Sequence, residues 1–197
     1  MIERVYEWQF AGEWYSIRRR WSEFKLEALR NLPHDVAVSS GYSYYLKNDP
    51  FKQEAYDFLA DVVDVMSRDI VFEEEAHVLA ALLTFVQHLN YYEERGEYPR
   101  YPAETIIDQG GDCEDTAILM AFIARRLGYN CAFIHFSLKD RGHVDLGVAP
   151  NFRGEFSGSF WRHNGLKYYY IHCNGKYRTI GEYSGRWGDK ARIEPVH

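Results

Sequence analysis

From residue 3 to residue 20 the chain alternates between apolar and polar positions. Tyr6, Trp8 and Phe10 are each separated by a polar residue, Ala11-Gly12 offers a turn, and Trp14, Tyr15 and Ile17 resume the apolar set. A period of two broken by a two-residue turn predicts a β-hairpin. Residues 21–48 show no clean period. The stretch SSGYSYYLKNDP reads as a loop or edge strand leading to a helix start, where Asp49 can cap and Pro50 can take the first helical position. The period then changes. Phe51, Ala55, Phe58, Leu59, Val62, Val65 and Met66 recur at intervals of three and four, which predicts a helix. A second helix is predicted over about 73–91. Its acidic start, Glu73-Glu74-Glu75, suits the positive end of a helix, and Leu79, Leu83, Val86 and Leu89 give its core face. EERGEYPRYP reads as a loop because Pro99 and Pro102 oppose regular structure. A third helix is predicted from about Asp112 to Gly128, burying Ile118, Leu119, Phe122 and Leu127. Arg125 and Arg126 suit its negative end, and Gly128 suits the residue just past it.

The remainder predicts strands. NCAFIHFSL and HVDLGVA alternate, KYYYIHCN places His172 and Asn174 on one face, and YRTIGEY reads as a fourth strand. There is no internal repeat. Helices followed by an antiparallel meander predict an α+β fold, with residues 1–48 as a hairpin-bearing accessory segment and 49–197 as the main unit.

Composition narrows the function classes. The 197 residues are 46% hydrophobic, enough for a real core, and carry a net charge of −6, which disfavours wrapping nucleic acid or an anionic membrane. The cluster Arg18, Arg19 and Arg20 reads as a solvated strand end. Three unpaired-looking cysteines, Cys113, Cys131 and Cys173, disfavour a disulfide scaffold and suggest a reducing, cytoplasmic setting; MIERVYEWQF carries no signal-peptide pattern.

The chemistry gathers at QGGDCEDTAILM, residues 109–120. A cysteine in the first turn of a helix faces unpaired backbone N–H groups and the positive end of the macrodipole, both of which favour thiolate. The Cys113 amide would also point toward an oxyanion. Asp112, Glu114 and Asp115 oppose a thiolate unless Asp112 serves as N-cap and Asp115 closes a capping box. A nearby imidazolium is therefore needed, and His143, at the start of a strand after Gly142, is the candidate partner for a Cys–His centre. Gln87 and Gln109 are candidate oxyanion donors. Cys131 reads as a small core residue, His135 as a local hydrogen-bonder, and Trp161, Trp187 and the tyrosines at 168–170 as sheet packing.

YPRYPAETIIDQGGDCEDTAILMAFIARRLGYN resembles the catalytic core of the transglutaminase-like superfamily, in particular prokaryotic transglutaminase-like cysteine peptidases. LLTFVQHLNYYEE, GHVDLGV and YYYIHCNGKYRTIGEY are similar to its flanking helix, histidine strand and final segment, so the resemblance spans about residues 50 to 184. It implies a papain-like α+β core whose nucleophile helix packs on an antiparallel sheet. It also implies Cys113 as nucleophile, His143 as general base and acyl transfer at an amide carbonyl, with a protein or peptide substrate and no cofactor. The family's carboxylate that orients the histidine falls here on His172, a departure from the pattern. Three readings stay open. Asn174 or His172 orients His143, with Asp145 and Glu182 as weaker substitutes; or catalysis has been lost and the domain binds; or Cys113, His143 and His172 hold zinc.

Overall fold

The structure is a computed structural model that describes all residues except 37–40, 94, 95, 97, 138–141, 151–155, 189 and 197. Strands β1 (Ile2–Phe10) and β2 (Glu13–Trp21) form the expected antiparallel hairpin, in register from Ile2↔Trp21 to Phe10↔Glu13. Ala11 and Gly12 have φ of 52° and 89°, the doubly positive pair that a two-residue hairpin loop requires. Tyr6, Trp8, Tyr15 and Trp21 turn inward and join the main core. Trp14, read as part of the apolar set, is exposed.

Residues 21–48 hold two helices that the sequence pattern did not show: α1 (Glu23–Arg30) and α2 (Ser43–Asn48). The second replaces the loop or edge strand expected for SSGYSYYLKNDP; Ser39 and Ser40 of that stretch lie outside the described residues. Helix α3 (Lys52–Met66) buries Ala55, Phe58, Leu59, Val62 and Met66. Asp49 does not cap it, and Pro50 precedes it. The buried Asp49 carboxylate instead accepts the N–H groups of Phe51 and Ala103, each at 2.8 Å, and so ties α3 to a distant segment. Helix α4 (Glu75–His88) ends where β3 (Asn90–Tyr91) begins. Pro102, expected to forbid structure, opens helix α5 (Pro102–Asp108), because proline lacks only an N–H that the first turn leaves unused. β4 (Gly110–Gly111) pairs in parallel with β3, and α6 (Cys113–Arg126) follows.

The five-stranded sheet is antiparallel throughout, ordered β7-β8-β6-β5-β9, with β5 (Asn130–Ser137), β6 (Gly142–Ala149), β7 (Phe160–His163), β8 (Leu166–Ile171) and β9 (Ala191–Pro195). This mixed α and β architecture agrees with the α+β expectation. YRTIGEY is not a strand. Tyr177 and Gly181 have φ of 63° and 85°, which no regular strand accommodates, and the segment is a series of turns. The strands missed are β7 and β9, whose alternation is short and largely polar.

Register separates the two faces of the sheet. Phe133, Leu146, Val148 and Ile171 face α6 in the main core. Ile134 and Phe136 lie opposite Asp145 and His143, and with Tyr170 they pack beneath Trp161, Tyr183 and Trp187 on the other face. Among the described residues no helix is long and apolar enough to cross a membrane.

Candidate active site

The chain reaches the site through Gly110 and Gly111, and steric room explains both. A Cβ on Gly110 would lie 2.1 Å from the Asn90 carbonyl oxygen, and one on Gly111 would lie 2.3 Å from Asp115 Oδ2. The Asp115 carboxylate accepts the Asp112 N–H at 3.0 Å, closing the expected capping box. It also accepts the Arg100 backbone N–H and Nη1–H, each at 2.6 Å. A buried guanidinium thus holds the start of α6 in place from the PRYP segment.

Cys113 occupies the first position of α6 as expected, but its thiol is not ionised by an imidazole. It donates to Glu114 Oε2 at 3.2 Å. Burial first, and then the Glu114 charge, push the thiol well above its ordinary value, while the Val144 N–H directed at the sulfur pulls the other way. Asp112 is pushed up to about 9, by burial first and then by the charges of Asp115 and Glu114.

His143 starts β6, on the face away from α6. Its ring stacks on Trp187 with centroids 4.0 Å apart, and Nε2 meets Asp145 Oδ2 at 2.7 Å. Among the described residues no hydrogen bond joins Cys113 to His143; the sulfur touches the strand at Val144, the next residue along.

Asp145 is the center of this face. It is fully buried, with His172 Nδ1 at 3.0 Å and the Tyr170 hydroxyl also on Oδ2, and the Cys173 N–H on Oδ1 at 3.0 Å. Burial alone would raise its carboxyl. The hydrogen bonds and charges of His143 and His172 outweigh that and bring it down to about 2.

His172 lies just past the end of β8, not within a strand, and it contacts Asp145 rather than receiving the Nε2 of His143. Asn174 falls in the following turn, so the shared strand face expected for the two does not exist. The carboxylate beside His143 is Asp145, across the ladder from position 172 by extension of the pair Leu146↔Ile171. Glu182 is spent on Arg178 and Thr179.

Gln87 has no N–H left for an oxyanion, and Gln109 has one engaged elsewhere. Both N–H bonds of Gln87 go to carbonyls, His172 O at 2.9 Å and Arg178 O at 3.0 Å, and Gln109 donates to Val5 O at 2.6 Å. Gln87 is a clamp on the segment after β8. Among the described residues, those that could share a metal ion are His143, Asp145 and His172, with one ligand atom from each inside 4.8 Å; Cys113 is not part of that group. His135 bonds Glu194 Oε2 at 3.0 Å, and Cys131 is a buried core residue.

Sequence reasoning listed Asp145 only as a weaker substitute, named Glu114 only as a charge opposing a thiolate, and missed Tyr170 and Arg100. The i, i+2 spacing of His143 and Asp145 on one strand face was the available signal.

No protein-family model matches the sequence, and no curated protein matches it. Among solved structures, a protein from Cytophaga hutchinsonii provisionally described as a cysteine protease is similar with a TM-score of 0.39 and 13% identity. The alignment covers 98% of this chain and 76% of that one.

Proposed function

We propose that the protein carries out cysteine-dependent acyl transfer at an amide carbonyl, with hydrolysis of a peptide or isopeptide bond favoured. Cys113 is the nucleophile, His143 the general base and Asp145 the carboxylate that orients it. The observation that carries the reading is the buried His143–Asp145 contact of 2.7 Å, beginning one residue before the Val144 N–H that is directed at the Cys113 sulfur. With Nε2–H given to Asp145, Nδ1 is left as the basic nitrogen.

The resting thiol keeps its proton on the Glu114 side. On this reading catalysis begins when the cysteine side chain turns from Glu114 and the His143 ring, at the second residue of β6, comes round the start of the strand to take its proton. The sulfur attacks the carbonyl carbon, and charge develops on oxygen near the amides of the first turn of α6. The leaving amine takes the proton from the imidazolium. Water then attacks the thioester, giving its proton to the imidazole and releasing the acid, and the thiol is restored. The carboxylate implied at position 172 by the transglutaminase-like pattern has, on this reading, moved across the ladder to 145, and His172 supports it from the vacated place.

The protonated thiol favours one competing reading, a domain that binds without catalysis. An activated acyl ester separates the two. The expected outcome is one acyl group on Cys113 by intact mass, lost in Cys113→Ala and formed about 10²–10⁴-fold more slowly in His143→Ala. Acylation that is absent, or that is indifferent to His143, favours the binding domain.

A further inference from the structure

We infer that His143, Asp145 and His172 form a site for a divalent first-row transition metal of the zinc class. One ligand atom from each lies within 4.8 Å of the others. Asp145 Oδ2 is 2.7 Å from His143 Nε2 and 3.0 Å from His172 Nδ1, and it also faces the Tyr170 hydroxyl. Two ring nitrogens and the Tyr170 hydroxyl crowd one carboxylate oxygen, and that hydroxyl also lies 3.2 Å from His172 Nδ1, so a purely protonic network here demands an N–H from each imidazole toward the same atom. A cation resolves this: each imidazole then offers a lone pair in place of an N–H.

The geometry needs little change. Zinc-class ions bond nitrogen and oxygen at about 2.0–2.2 Å, which sets neighbouring ligand atoms roughly 3–3.5 Å apart. The two separations from Asp145 Oδ2, 2.7 and 3.0 Å, must open by only a few tenths of an ångström, and the two imidazole nitrogens already lie within 4.8 Å of each other. The ligands are already oriented from behind. Asp145 Oδ1 is fixed by the Cys173 N–H at 3.0 Å, and the His172 carbonyl is held by Gln87 at 2.9 Å. The His172 ring is nested over Gly175, where a Cβ would fall 2.4 Å from its Cδ2. His172 keeps 23% side-chain exposure while its partners are buried, so an ion enters from its side. Two imidazoles and one carboxylate with open positions select zinc, iron(II) or cobalt over calcium and magnesium, which favour oxygen shells.

This site does not depend on the acyl-transfer reading. One consequence does: an ion bound here occupies the imidazole that Cys113 needs, so the loaded and catalytic states exclude each other.

The test uses the full chain carrying Cys113→Ser, with Co²⁺ and then Zn²⁺ added after chelation. One equivalent of Co²⁺ is expected to bind, with visible d–d bands and no thiolate charge-transfer band. Removing a ligand by His172→Asn should weaken binding by more than about a hundredfold, beyond the usual cost of a second-shell change. In the His172-bearing chain, Zn²⁺ should shift the imidazole resonances of His143 and His172 and leave those of His135 in place; this readout does not require His172→Asn to fold. Binding below one equivalent, unchanged affinity in His172→Asn, or unmoved resonances would overturn the proposal. Because the thiol is absent throughout, failure here leaves acylation of Cys113 untouched, and the reverse holds as well.

Discussion

Asp115 and Asp145 are both fully buried carboxylates, and the difference between them separates framework from chemistry. Asp115 is satisfied by groups that do not titrate near neutrality: the Arg100 guanidinium and the backbone N–H groups of Arg100 and Asp112. Asp145 is held by two imidazoles and a phenol, side chains that can both donate and accept hydrogen bonds. The first can do little except stay in place, and it places the nucleophile. The second is bonded to side chains that can pass a hydrogen bond on, and one of them is the imidazole beside the nucleophile's strand contact.

The sharpest way to break this contrast is to neutralise each carboxylate. On the acyl-transfer reading, Asp145→Asn leaves the fold intact but lowers the acylation rate by about 10⁴, the cost of losing the orienting charge in a serine-protease triad. Its acid limb should change as well. The folded carboxyl stands at about 2 against an ordinary 3.8, so its stabilisation is complete above about pH 4 and is lost as pH falls toward 2. Acid titration of the Asn variant, followed by tryptophan fluorescence, should lack that loss. Asp115→Ala should act in the opposite sense. It strands a buried guanidinium and costs about 3–5 kcal/mol in urea unfolding. Molecules that remain folded lose acylation only as far as the α6 mouth loosens.

Glu104 sharpens the comparison with a smaller effect. It is fully buried, accepts the Tyr98 hydroxyl at 3.0 Å, and has His34 Nε2 at 3.8 Å. Burial pushes its carboxyl from 4.5 up to about 7. The folded state therefore holds a proton that the unfolded state releases, and stability should fall as pH rises from about 4.5 to 7. Glu104→Gln is expected to flatten that slope and to raise stability at pH 8 by about 1–3 kcal/mol, measured by urea unfolding at a series of pH values.

The hairpin and α3 were legible because each buries a face at its own period, while α4, α6, β5 and β6, buried on more than one side, were legible from apolar positions bounded by clear starts and stops. Helices α1, α2 and α5 were not: they are six to eight residues long, too short to show a repeat, and α5 is announced only by Pro102 at its first position. The site was half legible. Cys113 declares itself by its place after two glycines. The position of Asp145 depends on strand register and on the ends of β6 and β8, which no local pattern sets. The Glu114 contact depends on a single rotamer, and the role of Gln87 depends on two carbonyls roughly ninety residues downstream, fixed only by the tertiary fold.

The hairpin's attachment bears on the order of assembly. The Tyr6 hydroxyl donates to Ile106 O at 2.8 Å, Arg4 to Ile107 O at 2.8 Å and Gln109 to Val5 O at 2.6 Å, across spans of 100 to 104 residues. Two strands closed by a tight loop can pair within microseconds, but their indole-bearing side has nothing to rest on until Phe58, Met66 and Phe85 of α3 and α4 arrive, and the distant hydrogen bonds close only when residues 106–109 do. Closing so long an interval late is entropically slow, and it makes the early ribbon a place where a chaperone or a second chain could intervene before the native lock is made.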